Sequence, residues 1–91
     1  MRPADPRSGL RQGVGALSVD GIELRKQVGR NCAEARKRAG LSQHQLSIRL
    51  FIHPNEVSRW ERGHHCPRLT TLVRLAHVLE VPLADLLRGI E

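Results

Sequence analysis

A chain of 91 residues has room for one small domain and no second core of any size. It contains one Trp, one Phe and no Tyr, so a core must be built from Leu, Val, Ile and Ala. A formal charge of +6 and an isoelectric point near 11.0 point to a polyanionic partner, for which nucleic acid and an anionic membrane surface both qualify. No apolar run approaches the ~20 residues of a spanning helix, and Met1 to Asp20 lacks the apolar centre of a signal peptide. A cytoplasmic location follows as the expectation. Cys32 and Cys66 are read as reduced thiols, the first on the core face of a helix and the second in a loop.

Residues 1–19 carry Pro3, Pro6, Gly9, Gly13 and Gly15 with Arg2, Arg7 and Arg11 between them, and no sustained period. The reading is a flexible basic arm, with residues 20–91 as the folded domain. Such an arm either adds phosphate or minor-groove contacts or has no role, and composition alone favours the second.

Asp20 to Ala39 reads as the first helix, with Asp20 and Glu23 as a capping box and Gly40 as its stop. Leu24, Val28, Cys32, Ala35 and Ala39 step along one face, and Arg25, Lys26, Arg30, Lys37 and Arg38 occupy the other. Ser42 with Gln45 three residues later is a second capping box, and Leu46 and Leu50 lie four apart on one face of the helix it opens. After Phe51 and Ile52 the chain restarts: His53 stands at the cap, Pro54 at the first helical position, and Gly63 at a left-handed stop. In this helix, from Pro54 to about Arg62, Val57, Trp60 and the start of Glu61 cluster on one side, opposite Asn55, Ser58, Arg59 and Arg62. Asn can pair bidentately with adenine and Arg with guanine in a major groove. An ordinary amphipathic surface helix has the same pattern.

The loop that follows, GHHCP, holds His64, His65 and Cys66, but its spacing matches no zinc pattern, so no metal and no cofactor are expected. Leu69 to Leu79 reads as a fourth helix with Leu69, Leu72, Leu75, Ala76 and Leu79 as its buried stripe, and Leu83 to Leu87 as a short fifth. Leu83, Leu86 and Leu87 belong partly to the core, and Ile90 with the rest of this leucine end is a candidate two-fold surface.

Taken together and in order, VGRNCAEARKRAGLSQHQL, VSRWERG and CPRLTTLVRLAHVLEVPLADLL resemble the helix-turn-helix domain of the Cro/lambda-repressor-like (XRE) family over residues 28–87, about two-thirds of the chain. The resemblance implies an all-α, compact five-helix domain whose third helix enters the major groove, and hence a DNA-binding transcriptional regulator. It implies an ion pair between Arg36 and Glu61, and phosphate contacts from the Ser42–Gln43 corner and from the loop carrying His64, His65 and Arg68. Asn55 and Arg59 are the expected base readers, with Pro54 and Glu56 in second rank, and Ser58 and Arg62 join the phosphate contacts. Phe51 stands where the family has Gly. A non-Gly residue in a left-handed turn is strained, which predicts a reshaped turn. Ile48 stands where a charge is usual, and with Phe51 it either forms a partner surface or packs on the N-terminal arm.

Sequence-specific binding of double-stranded DNA, as a homodimer on half-sites one turn apart, is the leading expectation. The alternative is a protein-binding module, such as an antitoxin or a regulatory adaptor, since one fold serves many functions. An enzyme is disfavoured: nothing sets a nucleophile beside a base, no Gly-rich phosphate loop occurs, and the chain is too small to enclose much of a pocket. A membrane-surface peptide is disfavoured too, because caps and stops punctuate the helices as in a globule.

Overall fold

A computed structural model describes residues 21–90, and within them the chain forms five helices and no strand. They are α1 (Ile22–Arg38), α2 (Gln43–Leu50), α3 (Pro54–Glu61), α4 (Leu69–Leu79) and α5 (Leu83–Leu86). The expected arm, the Asp20 cap and Glu91 lie outside the described residues. The N-cap of α1 is Gly21, in a left-handed conformation and without a side-chain cap bond, so the helix opens one residue later than an Asp20–Glu23 box requires.

Four helices stop in the same way. Gly40, Phe51, Gly63 and Glu80 each take a positive φ after α1, α2, α3 and α4. The next amide in each case reaches back five residues: Leu41 to Arg36 O, Ile52 to Ser47 O, His64 to Arg59 O and Val81 to Ala76 O. This closes the orphan carbonyls of each last turn. Phe51 therefore does not reshape its turn. It accepts φ 59° and ψ 45°, the conformation a glycine would take there, with its ring 90 % exposed. The two bonds of the cap outweigh the steric penalty of a Cβ, of order 1–2 kcal/mol.

The core is aliphatic, as the composition requires, with Trp60 as its single large ring. Val28, Cys32 and Ala35 of α1 meet Leu46 and Leu50 of α2, Val57 and Trp60 of α3, Leu72, Leu75, Ala76 and Leu79 of α4, and Leu86 of α5. Helix α1 packs on α3 and α5, α2 on α3 and α4, and α4 on α5. Leu69 departs from the expected stripe: it is 66 % exposed. It shares a face with Leu72 and Ala76, but it is the first helical residue, at the end of the rod. Ala39 likewise ends exposed, as the C-cap of α1.

Three polar side chains that periodicity does not single out fasten the ends. Asn31 is buried on α1, and its Nδ2 donates to Leu86 O (3.0 Å) and Arg88 O (2.9 Å), while its Oδ1 accepts from Gln27. Arg74 donates to Leu50 O, the last carbonyl of α2 (2.6 Å). Arg25 donates through Nε to Gly63 O (3.1 Å), tying α1 to the end of α3. At Gly29 the backbones of α1 and α3 touch: a Cβ there would overlap the carbonyl oxygen of Trp60 and lie 3.2 Å from that of Glu61. Gly29→Ala should therefore lower stability by about 1–3 kcal/mol, because a backbone oxygen cannot rotate away. A denaturant midpoint shifted down at unchanged m-value checks it.

Candidate nucleic-acid interface

Two eight-residue helices meet at Phe51. The first is capped by its expected box, with Gln45 N donating to Ser42 Oγ (3.0 Å) and Ser42 N to Gln45 Oε1 (2.8 Å). The second starts on His53, whose Nδ1 accepts from Asn55 N (3.0 Å), with Pro54 at its first position. Within α3, Val57 and Trp60 are buried, Asn55, Arg59 and Arg62 are exposed, and Pro54, Glu56 and Ser58 are half-buried. The polar side of α3 is open among the described residues.

The position of α3 is set by a buried fork. Arg36 donates from Nε to Glu61 Oε2 (2.7 Å) and from Nη2 to Glu61 Oε1 (3.0 Å), with both side chains about nine-tenths buried. The third arm of the guanidinium, Nη1, donates to Leu41 O (2.7 Å). Gln43 adds a bond from Nε2 to Glu61 Oε1 (2.9 Å). One carboxylate thus joins α1, the entry to α2 and the end of α3. The Gln43 amide is committed to this network, so what that corner offers an outside anion is its main-chain first turn.

The remaining site residues lie around this unit. Ser42 is exposed, with its hydroxyl engaged in the cap. His64 and Arg68 are exposed on the loop and at the N-cap of α4. Glu56 sits between the Arg59 guanidinium and the His65 imidazole, its Oε1 4.0 Å from Arg59 Nη1 and its Oε2 3.9 Å from His65 Nε2. That leaves Glu56 beside Arg59 but directed partly at the loop. Among the described residues no group of three or more His, Cys, Asp or Glu is arranged to hold a metal ion, and His64, His65 and Cys66 do not converge. No described helix is long and apolar enough to cross a membrane.

Sequence reasoning missed four of the residues that place the site: Gly29, Asn31, Arg25 and the structural half of Gln43. A helical Gly among good helix formers was the one available signal, because it weakens a helix unless a close approach requires it.

A pair of helices joined at a left-handed residue, with the second held by its apolar side so that its polar side faces outward, is a helix-turn-helix unit within a five-helix domain. The chain belongs to the Cro/C1-type (XRE) helix-turn-helix family: the helix-turn-helix family profile matches residues 33–86, more than half of the sequence. It is 35 % identical over 65 residues to an uncharacterized HTH-type transcriptional regulator, y4dJ, of Sinorhizobium fredii (strain NBRC 101917 / NGR234), a match covering 71 % of this chain and 84 % of that protein. Among solved structures it is similar to the restriction-modification controller protein C.AhdI from Aeromonas hydrophila, with a TM-score of 0.64, 27 % identity, and coverage of 68 % of this chain and 94 % of that one. The family is one of DNA-binding transcriptional regulators, and the chain is a DNA-binding regulator of that class.

Removing one partner of the fork leaves an uncompensated buried charge. Glu61→Ala or Arg36→Ala should cost about 3–5 kcal/mol, and the double change to apolar residues of similar volume should recover most of it. Chemical denaturation of the two singles and the double measures the coupling. The thiols make a separate expectation. Burial, then the Glu61 carboxylate, then Cys66 push the Cys32 thiol from 9.0 up to about 12. Burial also raises Cys66, with the Arg25 guanidinium opposing it. Above pH 9.0 the unfolded Cys32 loses a proton that the folded one keeps up to about 12, so this group makes stability fall as pH rises through that window. At mildly alkaline pH, alkylation of the folded protein followed by peptide mapping should label Cys66 well before Cys32.

Proposed function

We propose that the chain reads specific sequences in duplex DNA by inserting α3 into the major groove. The observation that carries this reading is the split of α3: Val57, Trp60 and Glu61 are committed inward, while Asn55 and Arg59 are exposed on the open side. Asn55 and Arg59 are the base readers, Asn55 toward adenine and Arg59 toward guanine. Pro54 and Glu56, at the N-terminal end, border the same bases, and Glu56 can accept from a cytosine amino group. Ser42, the first turn at Gln43, Ser58, Arg62, His64 and Arg68 hold the phosphates on either side. The exposed Lys26, Arg30, Lys37 and Arg38 of α1 add attractive field without base contacts.

So few readers suit a homodimer, with half-sites about one helical turn, ~34 Å, apart. A second reading, a surface for a protein partner, draws on Ile48 and Phe51, which are 59 % and 90 % exposed. A stoichiometric protein recovered with the chain from its native host, and lost on Phe51→Ser, would favour it.

Selection of bound DNA from a random duplex pool gives the cognate sequence and the substrate for a decisive pair of variants. Arg59→Ala should cost about 1–3 kcal/mol on the cognate duplex and relax specificity at one base pair. Arg68→Ala should weaken cognate and random duplex alike and reduce the slope of log K against log salt by about one. Both variants binding like the wild type on both duplexes would refute the assignment.

A further inference from the structure

Among the described residues, one buried side-chain polar atom lacks a hydrogen-bond partner: Nε1 of Trp60. Buried donors are nearly always paired, so an exception calls for a reason. Trp60 is 3 % exposed and fills core volume that a Phe or Leu would fill without an orphan N–H. It is also one of the walls of a cavity of about 400 Å³, with Glu56, His65, Pro67, Arg68 and Thr71 as the others.

The cavity lies between α3 and the first turn of α4. That turn is uncapped: Arg68 is the N-cap residue and makes no side-chain cap bond. The first-turn amides of this eleven-residue helix therefore have no acceptor from their cap, and the helix dipole adds positive potential at the same point. Indole N–H, helix amides and the Arg68 guanidinium are all donors. The one carboxylate on the wall, Glu56, is flanked by Arg59 and His65. Such a set asks for a ligand that only accepts and carries negative charge.

We infer that Trp60 gives its indole N–H to a backbone phosphate oxygen of the bound duplex, received in this cavity between Arg68 and the first turn of α4. The inference rests on the DNA-binding reading above and adds a neutral, buried donor to the phosphate contacts. Nε1 is closed to solvent in the free protein, so the contact requires the walls at His65, Arg68 and Glu56 to open around the phosphate. Because an indole releases no counterion, its contact adds affinity without adding to the salt dependence, unlike that of Arg68. A phosphate contact is also indifferent to base sequence.

The single tryptophan supplies a single indole N–H resonance for the test. The full chain is titrated with random-sequence duplex and, separately, with inorganic phosphate. The expected result is a downfield move of that resonance, with slower exchange with water, on duplex but not on inorganic phosphate. In parallel, Trp60→Phe, which keeps a ring in the core, should bind cognate and random duplex about 10-fold more weakly at an unchanged salt slope. A stationary indole resonance while backbone resonances of α3 shift would overturn the inference and leave DNA binding intact. So would a folded Trp60→Phe variant that binds like the wild type. A move produced by inorganic phosphate alone would replace the duplex contact by a free-anion site. If no resonance shifts with any duplex, the DNA-binding reading falls and this one falls with it. Should Trp60→Phe fail to fold, the titration of the wild type decides alone.

Discussion

The fork between Arg36 and Glu61 is the constraint on which the arrangement of this domain depends. A guanidinium offers its donors in one plane, and a carboxylate accepts two of them side by side, so the pair specifies direction as well as distance. Here the direction is that of α3 relative to α1. With the third arm of Arg36 on Leu41 O and the amide of Gln43 on Glu61, the same carboxylate also fixes where α2 begins. A buried ion pair of this kind adds little net stability, since desolvation offsets most of the attraction. Its value lies in orientation. It also turns inward an acidic residue that, on the outer side of α3, would repel phosphates.

Around that pair the chain leaves α3 little freedom. Gly29 lets α1 approach to backbone contact, Arg25 holds the carbonyl at the helix end, and Asn31 fastens the C-terminal residues to the middle of α1. Left-handed residues stop α1 to α4 within one turn of the last hydrogen bond, so the connections are short. Reading a base edge needs side chains placed to about 0.5 Å. A domain with so small a core fixes α3 through polar pins and close backbone packing.

The outer surface divides by chemistry in the same way. On the proposed reading, Asn55 and Arg59 meet base edges, whose donor and acceptor patterns differ, whereas helix starts and loop cations meet phosphates, which are alike at every step. Trp60 stands between the two. It belongs to the core by burial, yet its ring nitrogen is the one buried side-chain donor among the described residues that the fold leaves without an acceptor.

The sequence alone determined the punctuation of the helices and their apolar sides. The Ser42–Gln45 box, the His53–Pro54 start and the Gly63 stop depend on groups within five residues of one another, so spacing suffices to read them. The inward turn of Val57 and Trp60 follows equally from a 3.6-residue period. The Arg36–Glu61 pair was legible only through family resemblance, because its partners are 25 positions apart. Tertiary structure decided the rest. Nothing local says that Gly29 meets a carbonyl, that Asn31 holds residues 55 and 57 positions away, or that the Gln43 amide is spent on Glu61. Nor could periodicity expose Leu69 or keep Phe51 left-handed. The first depends on where neighbouring helices end, and the second on whether two cap bonds outweigh one Cβ. Periodicity assigns a residue to a side of its own helix; only the approach of another helix decides whether that side is covered.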